Sequence, residues 1–556
     1  MKILATNKNN CKNCYKCIRK CPVKAIEFSN NQAQVIEEEC VLCGICYNAC
    51  PQEAKTLYTD LDFVKTWIQQ DEEVYVSIAP SFLSDFYKSD FASIEKVLHK
   101  LGFSHIKQTA EAATYVKKQY ETELKQREQK ILISSCCPTI NMLIQSHYPN
   151  LIPLLSTTPS PMYMHGAQIK AENKDAKVVF IGPCIAKKHE QVMSDGQVDA
   201  VLNFTELKTW LEEEGLDYKM HEQSTPKSGR TNQFPVVGGI INSFTEYEPD
   251  IHYLAIDGME AALDALQDIS DGIIDHCFIE MSACKGSCVG GPLRNRKQNT
   301  PLKSLININR HLAEDDFTVQ DYPHIELAYD NLQTVRKPLD EKALDTILQN
   351  LGKTHASDHL NCGSCGYNTC LDKAKAIYYG KADLTMCLPY LKERAESFSD
   401  HIIQSAPNGV IVLNNKLNIQ VMNPAACNMF GLASPKTILS QHIATLKDPT
   451  HYLEFLEQDK QRTHKRYYLP DVERYIDETI VYEENFNVLI CILRDITKEI
   501  TLQKLKVKRN KQALEITNEV IQKQMRAVHE IASLLGETTA ETKVALNQLE
   551  DVLHDE

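Results

Sequence analysis

The sequence predicts an α/β reaction domain set among smaller cysteine-rich units, with an α+β domain and a coiled-coil helix toward the C-terminus. Three observations carry this. Short apolar runs at 74–79, 130–135 and 177–181 alternate with helix-period stretches at 92–101 and 115–128, as in a parallel sheet with crossover helices. Most of the 20 cysteines stand in short regular spacings. Apolar residues then recur at every seventh position from Ile500 to Leu535.

The 556 residues leave room for about three to five domains. A formal net charge of −14 argues against nucleic-acid binding through a basic surface. The first residues carry no apolar leader, and no run of about 18 apolar residues follows. A cytoplasmic location without a membrane span is therefore expected. Thiols stay reduced there, so clustered cysteines point to metal or redox chemistry.

In residues 1–58, Cys11, Cys14, Cys17 and Cys21 precede Pro22, and Cys40, Cys43, Cys46 and Cys50 precede Pro51. This doubled C-x-x-C-x-x-C-x-x-x-C-P is the two-cluster ferredoxin pattern, in which the fourth cysteine of each run ligates the other cluster. The pattern assigns Cys11, Cys14, Cys17 and Cys50 to one 4Fe–4S centre and Cys40, Cys43, Cys46 and Cys21 to a second. Zinc is the alternative occupant, and electron transfer is the expected role.

Residues 59–330 form the predicted reaction domain, opening with a helix at 61–70. The strand at 130–135 runs into Cys136, Cys137 and Pro138, and that at 177–181 into Pro183 and Cys184. Ligands commonly gather at the carboxyl ends of parallel strands. Further on, Cys284 and Cys288 stand four apart, a spacing that places both thiolates on one face of a helical turn. Gly286, Gly290 and Gly291 allow close backbone approach to a bulky group. Cys277 reads as a core thiol.

Together SSCCP, GPCIAKKHE and MSACKGSCVGG resemble the three signature motifs of FeFe hydrogenases, in family order. The resemblance implies an H-cluster: a 4Fe–4S cubane on Cys137, Cys184, Cys284 and Cys288, with Cys288 also bridging to a di-iron subsite carrying CO, cyanide and azadithiolate. It implies that Cys136 passes protons, that Lys187 donates to a cyanide, and that Glu190 hydrogen-bonds around the site. Ala79, Pro80 and Ser81 resemble the family's backbone lining. Ser156 matches the family's relay serine.

Several positions depart from the catalytic pattern. Gly182 and Ser282 stand where active members usually carry methionine, and Val116 stands where they carry a relay glutamate. Glu111 or Glu121 substitutes only if the alignment shifts. A relay without a titratable group is slow, since proton transfer needs positioned donors and acceptors. These departures resemble the sensory branch of the family.

In residues 331–395, Cys362, Cys365, Cys370 and Cys387 make a complete ligand set in a block resembling a small 4Fe–4S domain; zinc and 2Fe–2S are the alternatives. Residues 396–497 resemble a PAS domain, with strand, turn and strand at 413–423, a short helix at 424–430, a strand at 488–493 and an Asp495-Ile496-Thr497 exit. Cys427 and Cys491 read as core thiols, and the domain is expected to hold no haem or flavin. Residues 498–556 form a signalling helix with one regular seam of Ile500, Val507, Leu514, Ile521, Val528 and Leu535, and a second interrupted by Lys511 and Asn518.

The whole implies a slow, H2-sensing FeFe hydrogenase with three accessory 4Fe–4S clusters. It would act on H2 and protons, exchange electrons with a ferredoxin-like partner, pair as a homodimer through the PAS domain and coil, and signal to a kinase or phosphatase. A ferredoxin-linked catalytic hydrogenase and an Fe–S assembly scaffold without di-iron are the alternatives.

Overall fold

The computed structural model describes residues 2–86, 89–126, 131–219, 229–294, 300–319, 322, 324–457, 461–535 and 546–550. The chain divides into two compact units, Met1–Tyr390 and Leu391–Glu556. Among the described residues no helix is long and apolar enough to cross a membrane.

The reaction domain contains two parallel sheets. One has the order His105–Gln108, Val74–Ile78, Lys177–Gly182 and Ala200–Asn203. The other has the order His252–Asp257, Cys277–Ser282 and Ile131–Ile133. Val74–Ile78 is buried at every position, as its largely apolar run leads one to expect of a central parallel strand. The second helix-period stretch begins earlier than its periodicity suggests, at Thr109, and is described to Gln126; Glu128 and Lys130 lie outside the described residues. Four strands deliver their carboxyl ends to one region. Val74–Ile78 leads to Ala79–Ser81, Ile131–Ile133 to Cys136 and Cys137, Lys177–Gly182 to Cys184, and Cys277–Ser282 to Cys284 and Cys288.

In the N-terminal domain, Lys16–Lys20 and Ile45–Ala49 are matching short helices, each carrying one cysteine and ending at another. Two antiparallel strand pairs, Leu4–Thr6 with Lys55–Leu57 and Ile26–Ser29 with Gln32–Val35, hold them. The two halves repeat down to single bonds: the Ala25 and Ala54 amides donate to Cys21 Sγ and Cys50 Sγ, each at 3.3 Å. In the third cysteine-rich unit, Glu341–Asn350 packs on Cys370–Tyr378 through Leu344, Leu348 and Ala374.

The C-terminal unit is a five-stranded antiparallel sheet in the order Ile419–Met422, Gly409–Asn414, Val488–Asp495, Arg474–Glu483 and Arg462–Leu469. Inside it lies an ion pair between Lys447 and Glu478, to which Tyr452 donates at 2.5 Å. Cys427 and Cys491 are buried there. Thr497–Leu535 is a continuous helix; the side chain of Leu535 lies outside the described residues.

Candidate redox centre and its cysteine sites

The strand ends of the two sheets meet around a cavity of about 110 Å³. Cys136, Cys137, Cys184 and Cys288 line it, with Ala79, Pro80, Ser81, Phe180 and Lys187. Cys284 lies close behind this wall, near enough to Cys184, Cys137 and Cys288 that a charge on any of them would raise its thiol further. Cys284 and Cys288 do not share a helical turn. Cys284 follows the strand end, and Cys288 belongs to the 3₁₀ turn Ser287–Gly290. Gly290 enforces this shape, because a Cβ there would stand 1.8 Å from the Lys285 carbonyl oxygen.

Burial raises the Cys136 thiol to about 12, against the lowering effects of Tyr120 and Lys187, so it is a neutral proton holder near neutral pH. The Tyr120 hydroxyl lies 3.2 Å from Cys136 Sγ and 3.0 Å from Ser135 Oγ. Lys187 Nζ donates to Ser160 Oγ at 2.8 Å and Glu190 at 2.6 Å. Burial favours loss of its proton, but the Glu190 carboxylate outweighs this and holds the ammonium above the usual lysine range.

Val116 is part of the apolar core, whereas Ser156 donates to the Glu123 carboxylate, which also accepts from the Thr157 amide at 3.0 Å. Glu121 instead accepts from the Thr245 amide, and Glu111 sits near the Gln108 amide. Glu123 is thus the carboxylate at the serine, a residue that motif matching missed. A helical projection would have found it, since positions 116, 120 and 123 share one face.

Glu280 was also missed, though it lies just before the third motif. Its carboxylate lines the cavity and accepts from the Ile240 and Ile241 amides at 2.9 and 3.1 Å. Burial pushes it up to about 7. The absent side chain at Gly182 also has an explanation: a Cβ there would stand 2.6 Å from the Phe180 ring, which fills that part of the wall.

Cys11, Cys14, Cys17 and Cys50 line one small cavity, and Cys362, Cys365, Cys370 and Cys387 line another. Cys21, Cys40 and Cys46 all face Cys43. Among the described residues, no three His, Cys, Asp or Glu side chains converge as they would on a single metal ion. The cysteines stand around cavities instead. Sets of four thiols around a cavity fit iron–sulfur groups, which take one thiolate at each corner.

Residues 72–292 match the family model for the C-terminal domain of the iron-only hydrogenase large subunit. Residues 3–53 match a 4Fe–4S dicluster domain, 358–389 an Fe–S cluster family and 397–466 the PAS fold. The chain is 27% identical over 252 residues to the periplasmic Fe hydrogenase large subunit of Nitratidesulfovibrio vulgaris, covering 35% of this chain and 60% of that protein. It is 26% identical over 215 residues to the cytosolic Fe–S cluster assembly factor NAR1 of Saccharomyces cerevisiae, covering 33% and 43%. An FeFe-hydrogenase structure from Chlamydomonas reinhardtii aligns with 50% of this chain and 100% of its own at 17% identity and a TM-score of 0.41. The chain spans 57% to 64% of the length of the curated hydrogenases it matches. It therefore carries an iron-only hydrogenase large-subunit domain, preceded by a 4Fe–4S dicluster domain and followed by an Fe–S domain and a PAS domain.

Proposed function

We propose that the chain is a slow, reversible FeFe hydrogenase that senses H2 and relays its redox state through Fe–S clusters toward its PAS domain and a signalling partner. The observation that carries this is the cavity where Cys136 and Lys187 meet Cys137, Cys184 and Cys288 of the cubane motifs. Cys137, Cys184, Cys284 and Cys288 would hold the cubane, and Cys288 would also help hold the di-iron group with its CO, cyanide and azadithiolate. When bound, that group supplies heterolytic cleavage and formation of H2. Lys187 presents its cation to anionic ligands, and Glu190 keeps it charged.

Cys136 holds a proton at Sγ and exchanges it with the cavity. Behind it, the Tyr120 hydroxyl lies within hydrogen-bond reach of both Cys136 and Ser135, and buried Tyr329 lies near Glu190, Ser135, Cys136 and Glu123. These groups lead toward the Glu123–Ser156 pair. The route differs from that of catalytic relatives because Val116 offers no proton site. Ser282 and the Phe180 ring replace the two thioethers, changing polarity at the cavity, which tunes a bound metal group. Such a site suits detection better than fast turnover.

Infrared and EPR spectroscopy of the matured protein under H2 and under argon tests the reading. CO and cyanide bands with cluster signals that respond to H2, at low turnover, are expected. Rapid turnover with the same bands would indicate a catalyst. Absence of the bands would leave an assembly role, which the likeness to NAR1 keeps open.

A further inference from the structure

The third cysteine-rich unit docks on the N-terminal domain, and it does so beside one particular cysteine set. Its Cys365–Tyr367 loop abuts the helix Lys16–Lys20, which ends at Cys21. The approach requires glycine: at Gly366, with φ of +95°, a Cβ would stand 2.9 Å from Ile18 Cγ2 and 3.3 Å from the Arg19 amide nitrogen. Arg19 donates to the Ser364 carbonyl at 3.1 Å, and the Phe28 amide to the Lys381 carbonyl at 2.8 Å. Glu39, next to Cys40, pairs with both Lys381 and Arg336.

One half-buried cation lies between the two cysteine sets. Lys24 Nζ donates to the Ile18, Arg19 and Gly366 carbonyls at 3.2, 3.3 and 3.1 Å. Those carbonyls belong to both domains, and Cys21, Asp372 and Cys365 all act electrostatically on the ammonium. Tyr367 faces the same two cysteines. On its other flanks the Cys21, Cys40, Cys43 and Cys46 set meets two more neighbours. Cys46 faces Cys17 of the first ferredoxin set, and Cys43 faces Cys284 of the reaction domain.

We propose that the site built by Cys21, Cys40, Cys43 and Cys46 is a three-way redox junction, and that Lys24 is the shared electrostatic clamp on its branch to the Cys362, Cys365, Cys370 and Cys387 site. One route leads to the Cys11 site. The other leads to the site whose last ligand, Cys387, directly precedes the helix Leu388–Ser405 that enters the PAS domain. A cluster that gains an electron gains negative charge. A cation held between two clusters stabilises the reduced form of either, so both potentials lie higher than they would without it. Lys24 is a positioning and tuning residue in this scheme. The inference rests on the reading that both cysteine sets hold Fe–S clusters.

The test is a potentiometric EPR titration of the full-length, cluster-loaded chain with a chemical reductant, without H2. Cluster signals are assigned by difference against Cys365→Ser. Lys24→Gln keeps a hydrogen-bond donor but removes the charge, and Lys24→Arg restores the charge. In the Gln variant both neighbouring clusters are expected to shift to more negative potentials, with recovery in the Arg variant. Spin coupling seen between these clusters in the reduced wild type should be lost in Cys365→Ser. Potentials unmoved in Lys24→Gln at full iron content would overturn the clamp alone. Coupling that survives Cys365→Ser would overturn the junction. Iron content unchanged by Cys365→Ser would overturn both, and with them the reading that a cluster sits there.

Discussion

Glu280 shows how one buried carboxyl can report on the state of the site. It is 4% exposed, and burial pushes it up to about 7 from an ordinary 4.5, despite amide donors from the helix Gly239–Ser243. Between those two pH values the folded chain holds a proton that the unfolded chain has released. Stability from this group is therefore highest below about pH 4.5, falls as pH rises, and levels off above about pH 7, a loss on the order of 3 kcal/mol. Glu280→Gln should flatten that dependence for the reaction-domain transition. Anaerobic denaturation of both forms at pH 5 and pH 7.5 measures it, and equal slopes would sink the assignment. The cavity cysteines were legible in the sequence because thiolates at fixed motif spacings have few other uses. Glu280 and Glu123 were not, because a carboxylate earns its role from the amides and hydroxyls that fold around it, and those come from residues 240–241 and 156–157.

At the scale of elements, the doubled cysteine pattern made the two short ferredoxin helices legible but hid their asymmetry. The residues before them, Tyr15 and Gly44, both adopt left-handed backbone, with φ of 54° and 73°. A side chain is thus tolerated in that conformation, so conformation alone does not demand the glycine. Space demands it: a Cβ on Gly44 would stand 2.5 Å from Pro292 Cβ and 2.8 Å from Ile185 Cδ1. This is where the loop carrying Cys43 presses on the reaction domain beside Cys184 and Cys284. Gly44→Ala should cost roughly 2–5 kcal/mol from overpacking and left-handed strain together. It should lower the melting temperature and weaken spin coupling between the cubane and its neighbouring cluster. Tyr15→Ala, at the matching position of the other half, should leave that coupling unchanged. In the C-terminal unit, the strands Arg462–Leu469 and Arg474–Glu483 escaped sequence reading for a related reason. Their outward faces are polar, and an inward position is Glu478, neutralised by Lys447, so little apolar alternation survives.

For the whole molecule the question is how a redox change could become a signal, and the long C-terminal helix limits the answers. In a single chain the helix Thr497–Leu535 leaves Val507 of its seven-residue seam 64% exposed and Ile500, Leu514, Ile521 and Val528 only half-buried. An isolated helix of this kind has no core to hold it, so its apolar positions call for a partner. The seven-residue spacing of Ile500, Val507, Leu514, Ile521 and Val528 gives one continuous seam, as a parallel pair of identical helices would use. Lys511 and Asn518 interrupt the second seam, so such a pair would be weak enough to change its packing. Replacing Leu514 and Ile521 together by lysine should convert a dimer to a monomer in light scattering, with the cluster absorption and the folded PAS domain retained. If H2 alters the pairing, crosslinking yield at cysteines introduced along the seam should differ between H2 and argon in the parent chain. That difference should vanish in Cys365→Ser, which removes the cluster site nearest in sequence to the PAS domain. A monomeric parent chain, or a difference that survives Cys365→Ser, would mean that the redox state reaches the C-terminal helix by some other route or does not reach it.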